Sequence, residues 1–139
     1  MQFALKRQLT VSLQNQPGRL AEVSELIAEN GFNIEGLCVI DNNEQSVARL
    51  LVDDPARCKE ALVDAGFYVV EAEVLALPVA DRRGKLAQMT RALAAAHLNI
   101  DYAYATVDHA DRAKCSLIIL KVSNSRLAEQ VLGAIPETS

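Results

Sequence analysis

Shifted against itself by 66 positions, the chain repeats. Gly18-Arg19-Leu20-Ala21-Glu22-Val23-Ser24 falls on Gly84-Lys85-Leu86-Ala87-Gln88-Met89-Thr90, and Phe32-Asn33-Ile34-Glu35 falls on Leu98-Asn99-Ile100-Asp101. Between positions 18 and 34 six of the aligned pairs are identical, where unrelated sequence of ordinary composition gives roughly one. Further on, Cys58-Lys59-Glu60-Ala61-Leu62 matches Ala128-Glu129-Gln130-Val131-Leu132 at an offset of 70, so the second copy carries about four extra residues. A repeat of this kind limits the chain strongly, because one supersecondary unit must satisfy both copies. A length of 139 residues leaves room for two very small units.

Hydropathy patterning shows what each unit is. Residues 3 to 13 alternate, with Phe3, Leu5, Leu9, Val11 and Leu13 on one side and Lys6, Gln8, Thr10 and Ser12 on the other, a strand with one wet face. Leu20, Val23, Leu26 and Ile27 then follow helical spacing, and Gly31 ends that helix as a left-handed cap. Residues 34–40 and 47–52 read as strands joined by Asp41-Asn42-Asn43-Glu44, a tight-turn composition. Asp54-Pro55 predicts a helix start, Gly66 its end, and residues 67–79 are extended again. The second copy repeats the pattern, with Leu86, Met89 and Leu93 on its first helix, strands near 100–107 and 114–122, and a last helix near 125–134. Leu117-Ile118-Ile119-Leu120 is apolar on both faces, which places its strand inside a sheet. The order β-α-β-β-α-β is the ferredoxin-like motif, an α/β (α+β) class of antiparallel sheet with both helices on one face. The expected domains are residues 1–71 and 72–139.

Nothing between Gly66 and Asp81 is Gly/Ser-rich or charged enough to swing as a linker. The second copy also stops just after its second helix, one strand short, while residues 1–13 and 67–79 are each about twice the length of one strand. We therefore expect each long segment to serve two units, with residues 1–6 closing the sheet of the second. The alternative leaves an open edge, which invites unwanted pairing.

Composition excludes several functions. The net charge is −4 and no run of Lys/Arg is present, so the phosphate backbone of nucleic acid and an anionic membrane surface find no electrostatic footprint. The amino-terminal segment soon turns polar and no stretch reaches membrane-spanning length, so a cytoplasmic location is expected. Cys38, Cys58 and Cys115 are far apart and lack C-x-x-C spacing, which argues for packing rather than a disulfide frame or a metal site. There is no nucleophile–base set, phosphate-binding loop or dinucleotide fingerprint. Catalysis, a metal and a cofactor are all expected to be absent.

The turn from first strand to first helix is where binding chemistry could sit. In copy one it reads Asn15-Gln16-Pro17-Gly18-Arg19-Leu20, and in copy two Asp81-Arg82-Arg83-Gly84-Lys85-Leu86. Asn or Asp can cap the helix, Gly permits φ > 0 and close approach, and free N–H groups at the helix start suit a carboxylate. A Pro-Gly turn before a helix can equally be only a turn. What adds weight is its recurrence with Asn33-Ile34 and Asn99-Ile100, which open the second strand of each copy and are expected at the sheet end where the first strand runs out.

This combination resembles the ACT domain, a small amino-acid-binding module of metabolic regulation whose pattern at this loop is D-x-P-G-x-L. The resemblance covers essentially the whole chain as two repeats and is similar to short stand-alone tandem-ACT proteins of bacteria. It implies a free amino acid as ligand where two such units lie side by side. Gly18 and Gly84 would offer backbone N–H groups to its carboxylate, Asp81 would face its ammonium group, and Asn33 and Asn99 of a neighbouring unit would complete the pocket. The wider ligand-binding set is Asn15, Pro17, Arg19, Leu20, Ile34, Lys85, Leu86 and Ile100. Two departures matter: Asn15 stands where the family has Asp, and Arg83 where it has Pro. The resemblance further implies an amino-acid sensor that controls a biosynthetic enzyme, with the small regulatory subunit of acetolactate synthase as the named alternative. A homodimer is expected, because one sheet face or an edge strand is left to be covered.

Other residues have plainer readings. His97 takes the slot of the capping Gly31, a geometry His tolerates. His109 lies within Asp108-His109-Ala110-Asp111-Arg112, a solvated hairpin tip before it is a metal site. Tyr102 and Tyr104 share one strand face, for a pocket, an interface or packing. Arg7 and Glu73 are repeat equivalents that could pair. An RNA-binding module has the same element order but needs stacking aromatics on central strands, which residues 47–51 and 115–119 do not supply.

Overall fold

The computed structural model describes residues 1–14, 16–42, 45–79, 84–107 and 116–136. The turn at Asn43-Glu44, the loop residues Asn15, Asp81, Arg82 and Arg83, the segment around His109, and Cys115 lie outside them. In chain order the elements are β1 (Ala4–Gln14), α1 (Arg19–Glu29), β2 (Ile34–Asn42), β3 (Gln45–Val52), α2 (Pro55–Asp64), β4 (Val69–Val79), α3 (Lys85–Ala95), β5 (Ile100–Val107), β6 (Ser116–Val122) and α4 (Ser125–Gly133). This is the expected mixed α/β order, with antiparallel strand pairs β1–β3, β2–β3, β4–β6 and β5–β6.

The chain divides into two compact units. The first is Arg7–Ala72, and the second is Met1–Lys6 with Glu73–Ser139. Strands β1 and β4 therefore each contribute residues to both units. Within the first unit the strand order is β2-β3-β1-β4, and within the second β1-β4-β6-β5. Strand β6, apolar on both faces, is internal, between β4 and β5.

Each unit has its own core, made by helices covering one face of the sheet. In the first, Val23 and Ile27 of α1 and Cys58 and Leu62 of α2 bury against Leu9, Val11, Leu50 and Val52. In the second, Met89 and Leu93 of α3 and Ala128 and Leu132 of α4 bury against Leu75, Leu77, Leu120 and Val122. Burying one such aliphatic side chain is worth about 1.5–3 kcal/mol, so these helices are held by packing more than by their own propensity. Met1 is part of the second core, and its ammonium group donates to the carbonyl of Ile135 beyond the end of α4.

Local signals set the helix ends. Asp54 accepts from the Arg57 N–H at 3.3 Å with Pro55 at the first helical position. Asn124 accepts from the Leu127 N–H at 3.1 Å at the start of α4. Gly31 has φ 81°, and His97, in the matching slot, has φ 59° and donates its N–H to the Ala94 carbonyl at 2.9 Å. His97 is thus a helix cap. The Arg7 guanidinium pairs with Glu71 at 3.5 Å rather than with Glu73, and Lys59 joins the same carboxylate at 3.8 Å. Alternation along β4 gives Glu71 the same sheet face as Val69, toward α2 and its Lys59.

Two outcomes follow from these cores. Deleting residues 1–6 removes Met1 and Phe3 from the second core, and truncating a buried Met costs about 2–5 kcal/mol. Amide exchange should then accelerate in α3, α4, β5 and β6 at least as much as in α1, β2 and β3. Loss of protection confined to the first unit would contradict the assignment of these residues. Burial, reinforced by the negative charges of Asp53 and Asp54, pushes the Cys58 thiol up from the ordinary 9.0 to about 11. Because the folded value is raised, its contribution to stability is full below about pH 9 and is lost as pH rises through 11. Native alkylation at mildly alkaline pH should label half-buried Cys38 well before Cys58, by roughly a hundredfold or more in rate. Equal rates in the native state would contradict the burial of Cys58.

Candidate functional site

Each unit turns from strand to helix through a glycine in the same conformation. Gly18, the N-cap of α1, has φ 91° and ψ −12°, and Gly84, the N-cap of α3, has φ 87° and ψ −4°. L side chains rarely adopt this left-handed region. The space where a Cβ would stand is open at both positions, with no atom of the described residues beyond the chain neighbours within 4 Å. Glycine is thus required by backbone conformation and leaves its outer side accessible. The caps are backbone caps: neither glycine brings a side chain to the helix start, and Asn15 and Asp81 are outside the described residues.

The first helical turn is partly unsatisfied. The Arg19 N–H donates to the Gln16 carbonyl at 3.3 Å, and the Glu22 N–H to the Gly18 carbonyl at 3.0 Å. The N–H groups of Leu20 and Ala21 find no acceptor among the described residues. Open donors at the positive end of a helix favour an anion. In the second unit the Gln88 N–H donates to the Gly84 carbonyl at 2.9 Å, the same opening bond. Leu20 and Leu86 are exposed beside these turns, and Lys85 is half-buried.

Arg19 adds a charge beside the first turn. Its guanidinium donates to Gln14 Oε1 at 3.0 Å and to Glu22 Oε2 at 3.3 Å, which fixes its direction. A cleft of about 290 Å³ opens next to it, with Gln14, Ser12 and Leu13 on one side and Gly66, Phe67 and Tyr68 on the other. The second rim comes from the α2–β4 turn, which sequence reasoning missed. Gly66 was legible only as a helix end, and nothing in its neighbours signalled a cleft shared with a loop whose glycine, Gly18, lies 48 residues earlier.

The strand register corrects one expectation. Gln14 pairs with Gln45 at one end of β3, whereas Ile34 pairs with Val52 at the other. Seven residues at 3.4 Å each put the Asn33-Ile34 pair about 24 Å along the sheet from the glycine loop of the same unit. The second unit repeats this, with Val79 level with Ser116 and Ile100 level with Val122. The reason is that β1 and β2 run the same way, so β2 starts where β1 started, not where it ends. Asn33 is held there by its own backbone: its N–H donates to Asp53 Oδ1 at 3.0 Å, and its carbonyl accepts from the Asp53 N–H at 3.2 Å. The Asn99 carbonyl accepts from Ser123 N–H at 3.2 Å, and its side-chain amide donates to Asp101 at 3.0 Å. Ile34 and Ile100 pack against the cores.

Tyr102 and Tyr104 are half-buried and lie in register with Lys121 and Ile119, on the sheet face away from the helices. Among the described residues no three His, Cys, Asp or Glu side chains converge as a metal site, and no helix is long and apolar enough to cross a membrane.

Comparison with known proteins identifies this scaffold. A stretch of 48 residues, 34% of this chain, is 40% identical to the acetolactate synthase small subunit of Aquifex aeolicus (strain VF5), and spans only 25% of that relative. The crystal structure of protein BT0572 from Bacteroides thetaiotaomicron superposes with a TM-score of 0.85 at 28% identity, over 94% of this chain and 88% of that one. The ligand-free regulatory subunit of aspartate kinase from Thermus thermophilus shares the fold, with a TM-score of 0.66 at 17% identity over 96% of each chain. The family model described as ACT domain pair matches residues 4–133, running through both repeats, and the chain belongs to that family.

Proposed function

We propose that this protein is a non-catalytic, amino-acid-binding regulator that reports the level of a free amino acid to a biosynthetic enzyme. The observation that carries this reading is the matched pair of left-handed glycines, each capping a helix with open space on its outer side. A carboxylate can approach the backbone there and accept from the open N–H groups of the first helical turn. Membership of the ACT domain pair family supports the ligand class, and the regulatory subunits among its relatives support the role. Because glycine loop and Asn33 stand at opposite ends of one sheet, a site using both takes them from two different units. A homodimer is part of this proposal. The small subunit of acetolactate synthase is the second reading, favoured by the 40% identity over 48 residues.

A thermal-shift screen against the twenty amino acids identifies the ligand, since about a hundred times Kd adds about 2.7 kcal/mol of stability. Calorimetry on Gly18→Val, Gly84→Val and Asp81→Asn then tests the loops. A Cβ at either position meets no described neighbour within 4 Å, so each valine should strain the backbone and block approach from outside the core. Asp81→Asn keeps the shape of a capping residue and removes its charge. A charge-assisted hydrogen bond is worth about 1.5–3 kcal/mol, so affinity should fall roughly ten- to a hundredfold at an occupied second loop. Wild-type affinity in all three folded variants would show that the glycines are only turns.

A further inference from the structure

The second unit carries a cavity of about 550 Å³ that, among the described residues, shares no lining residue with either glycine loop. Its volume lies within the range of small-molecule sites, about 300–1,000 Å³. One wall is the sheet face away from the helices. Pro78 and Leu117 are register partners there, and Ala76 alternates with the core residues Leu75 and Leu77. The neighbouring strand β1 and the residues just before it continue this lining with Gln2, Phe3, Ala4 and Lys6.

The position recurs. At the repeat offset of 66, Pro78 corresponds to Ser12 and Gln2 to Tyr68, and both of those border the cleft beside Arg19 in the first unit. The fold thus leaves a hollow at the same corner of each repeat, and the two have diverged. The first is lined by Ser12, Gln14 and Arg19, the second mostly by hydrocarbon.

The chemistry of the second hollow is one-sided. Among the described residues its polar side chains are the amide of Gln2 and the ammonium of Lys6, and no acidic side chain lines it. Lys6 is half-buried and has no carboxylate within ion-pair distance among the described residues. An anion with an apolar tail matches such a site: the carboxylate accepts from Lys6 Nζ and from the Gln2 amide, and the tail covers Ala76, Pro78 and Leu117. A free amino acid matches it poorly. Its ammonium group would share the hollow with Lys6 and find no anion among the described lining residues, leaving donors to be desolvated without a partner. An α-keto acid keeps the carboxylate and exchanges the ammonium for a carbonyl acceptor, to which Gln2 can donate.

We propose that this cavity is a second ligand site, specific for apolar monocarboxylates that lack an α-ammonium group, α-keto acids among them. The site stands independently of the glycine-loop reading; the two together would let one chain respond to an amino acid and to its deaminated counterpart through different residues.

The test uses the full chain and three probes with one shared side chain: α-ketoisocaproate, isocaproate and leucine. Calorimetry and saturation-transfer NMR should show both acids binding, with leucine about tenfold or more weaker at the same site. Lys6→Gln should weaken the acids by about tenfold or more. Ala4→Trp, from an exposed position, should fill the hollow and abolish their binding. Gly18→Val and Gly84→Val should leave acid binding unchanged, which separates this site from the loops. Should Ala4→Trp fail to fold, Lys6→Gln with its melting temperature near wild type carries the result. Absence of binding by both acids at millimolar concentration overturns the proposal. So does acid binding untouched by Lys6→Gln, or leucine binding as tightly through Lys6.

Discussion

Each unit depends on covering one face of a four-stranded sheet with two helices. Leu9, Val11 and Leu50 in one unit, and Leu75, Leu77 and Leu120 in the other, can leave water only if both helices lie back across them. That requirement dictates the turns. The chain must leave a strand end, reverse within a few residues and start a helix in the opposite direction. Gly18 and Gly84 take up the reversal with left-handed backbone, and so carry the first helical N–H groups to the rim of the sheet. A position favourable for an anion is thus a by-product of burying the core, available before any residue is selected for a ligand.

Much of this was legible in the sequence, for a physical reason. Strand alternation and helical spacing are local consequences of one-sided burial, so Leu9, Val11, Val23 and Ile27 announce their own environment. Capping is local too, and Asp54-Pro55, Gly31 and His97 could be read from their neighbours. Groups that meet only through the sheet were not legible. The partner of Arg7 is decided by which strand residues share a face with α2, and Gly66 to Tyr68 reach the glycine loop only because β4 follows α2 back to the end of β1. The placement of Asn33 failed for a related reason: proximity in the chain after one helix suggested proximity to the loop, whereas a helix returns the chain to the strand's beginning.

The two repeats show how far side chains drift once the backbone is secured. Gly31 and His97 hold the same left-handed position with different chemistry. Leu37 and Val39, exposed on the edge strand of one unit, correspond to Ala103 and Ala105 in the other. Ser12 and Pro78 give opposite character to the same corner. None of these exchanges touches the buried positions of the helices, which remain aliphatic or sulfur-bearing in both copies. A duplicated scaffold can therefore hold two binding preferences in one chain without a second fold.

Strands β1 and β4 belong to both units, and this has a consequence for a chain of half the length. A polypeptide of one repeat would possess one such strand, of which only part could serve its own sheet. The remainder would have to be lent to another molecule, which would lend its own in return. Folding of such a half-length chain would rise and fall with its concentration, as any exchange between molecules does. Joining two copies end to end makes the exchange internal, and dilution no longer opposes it. On this view the tandem arrangement is less an addition of a second module than a covalent lock on a loan that one module could not complete alone.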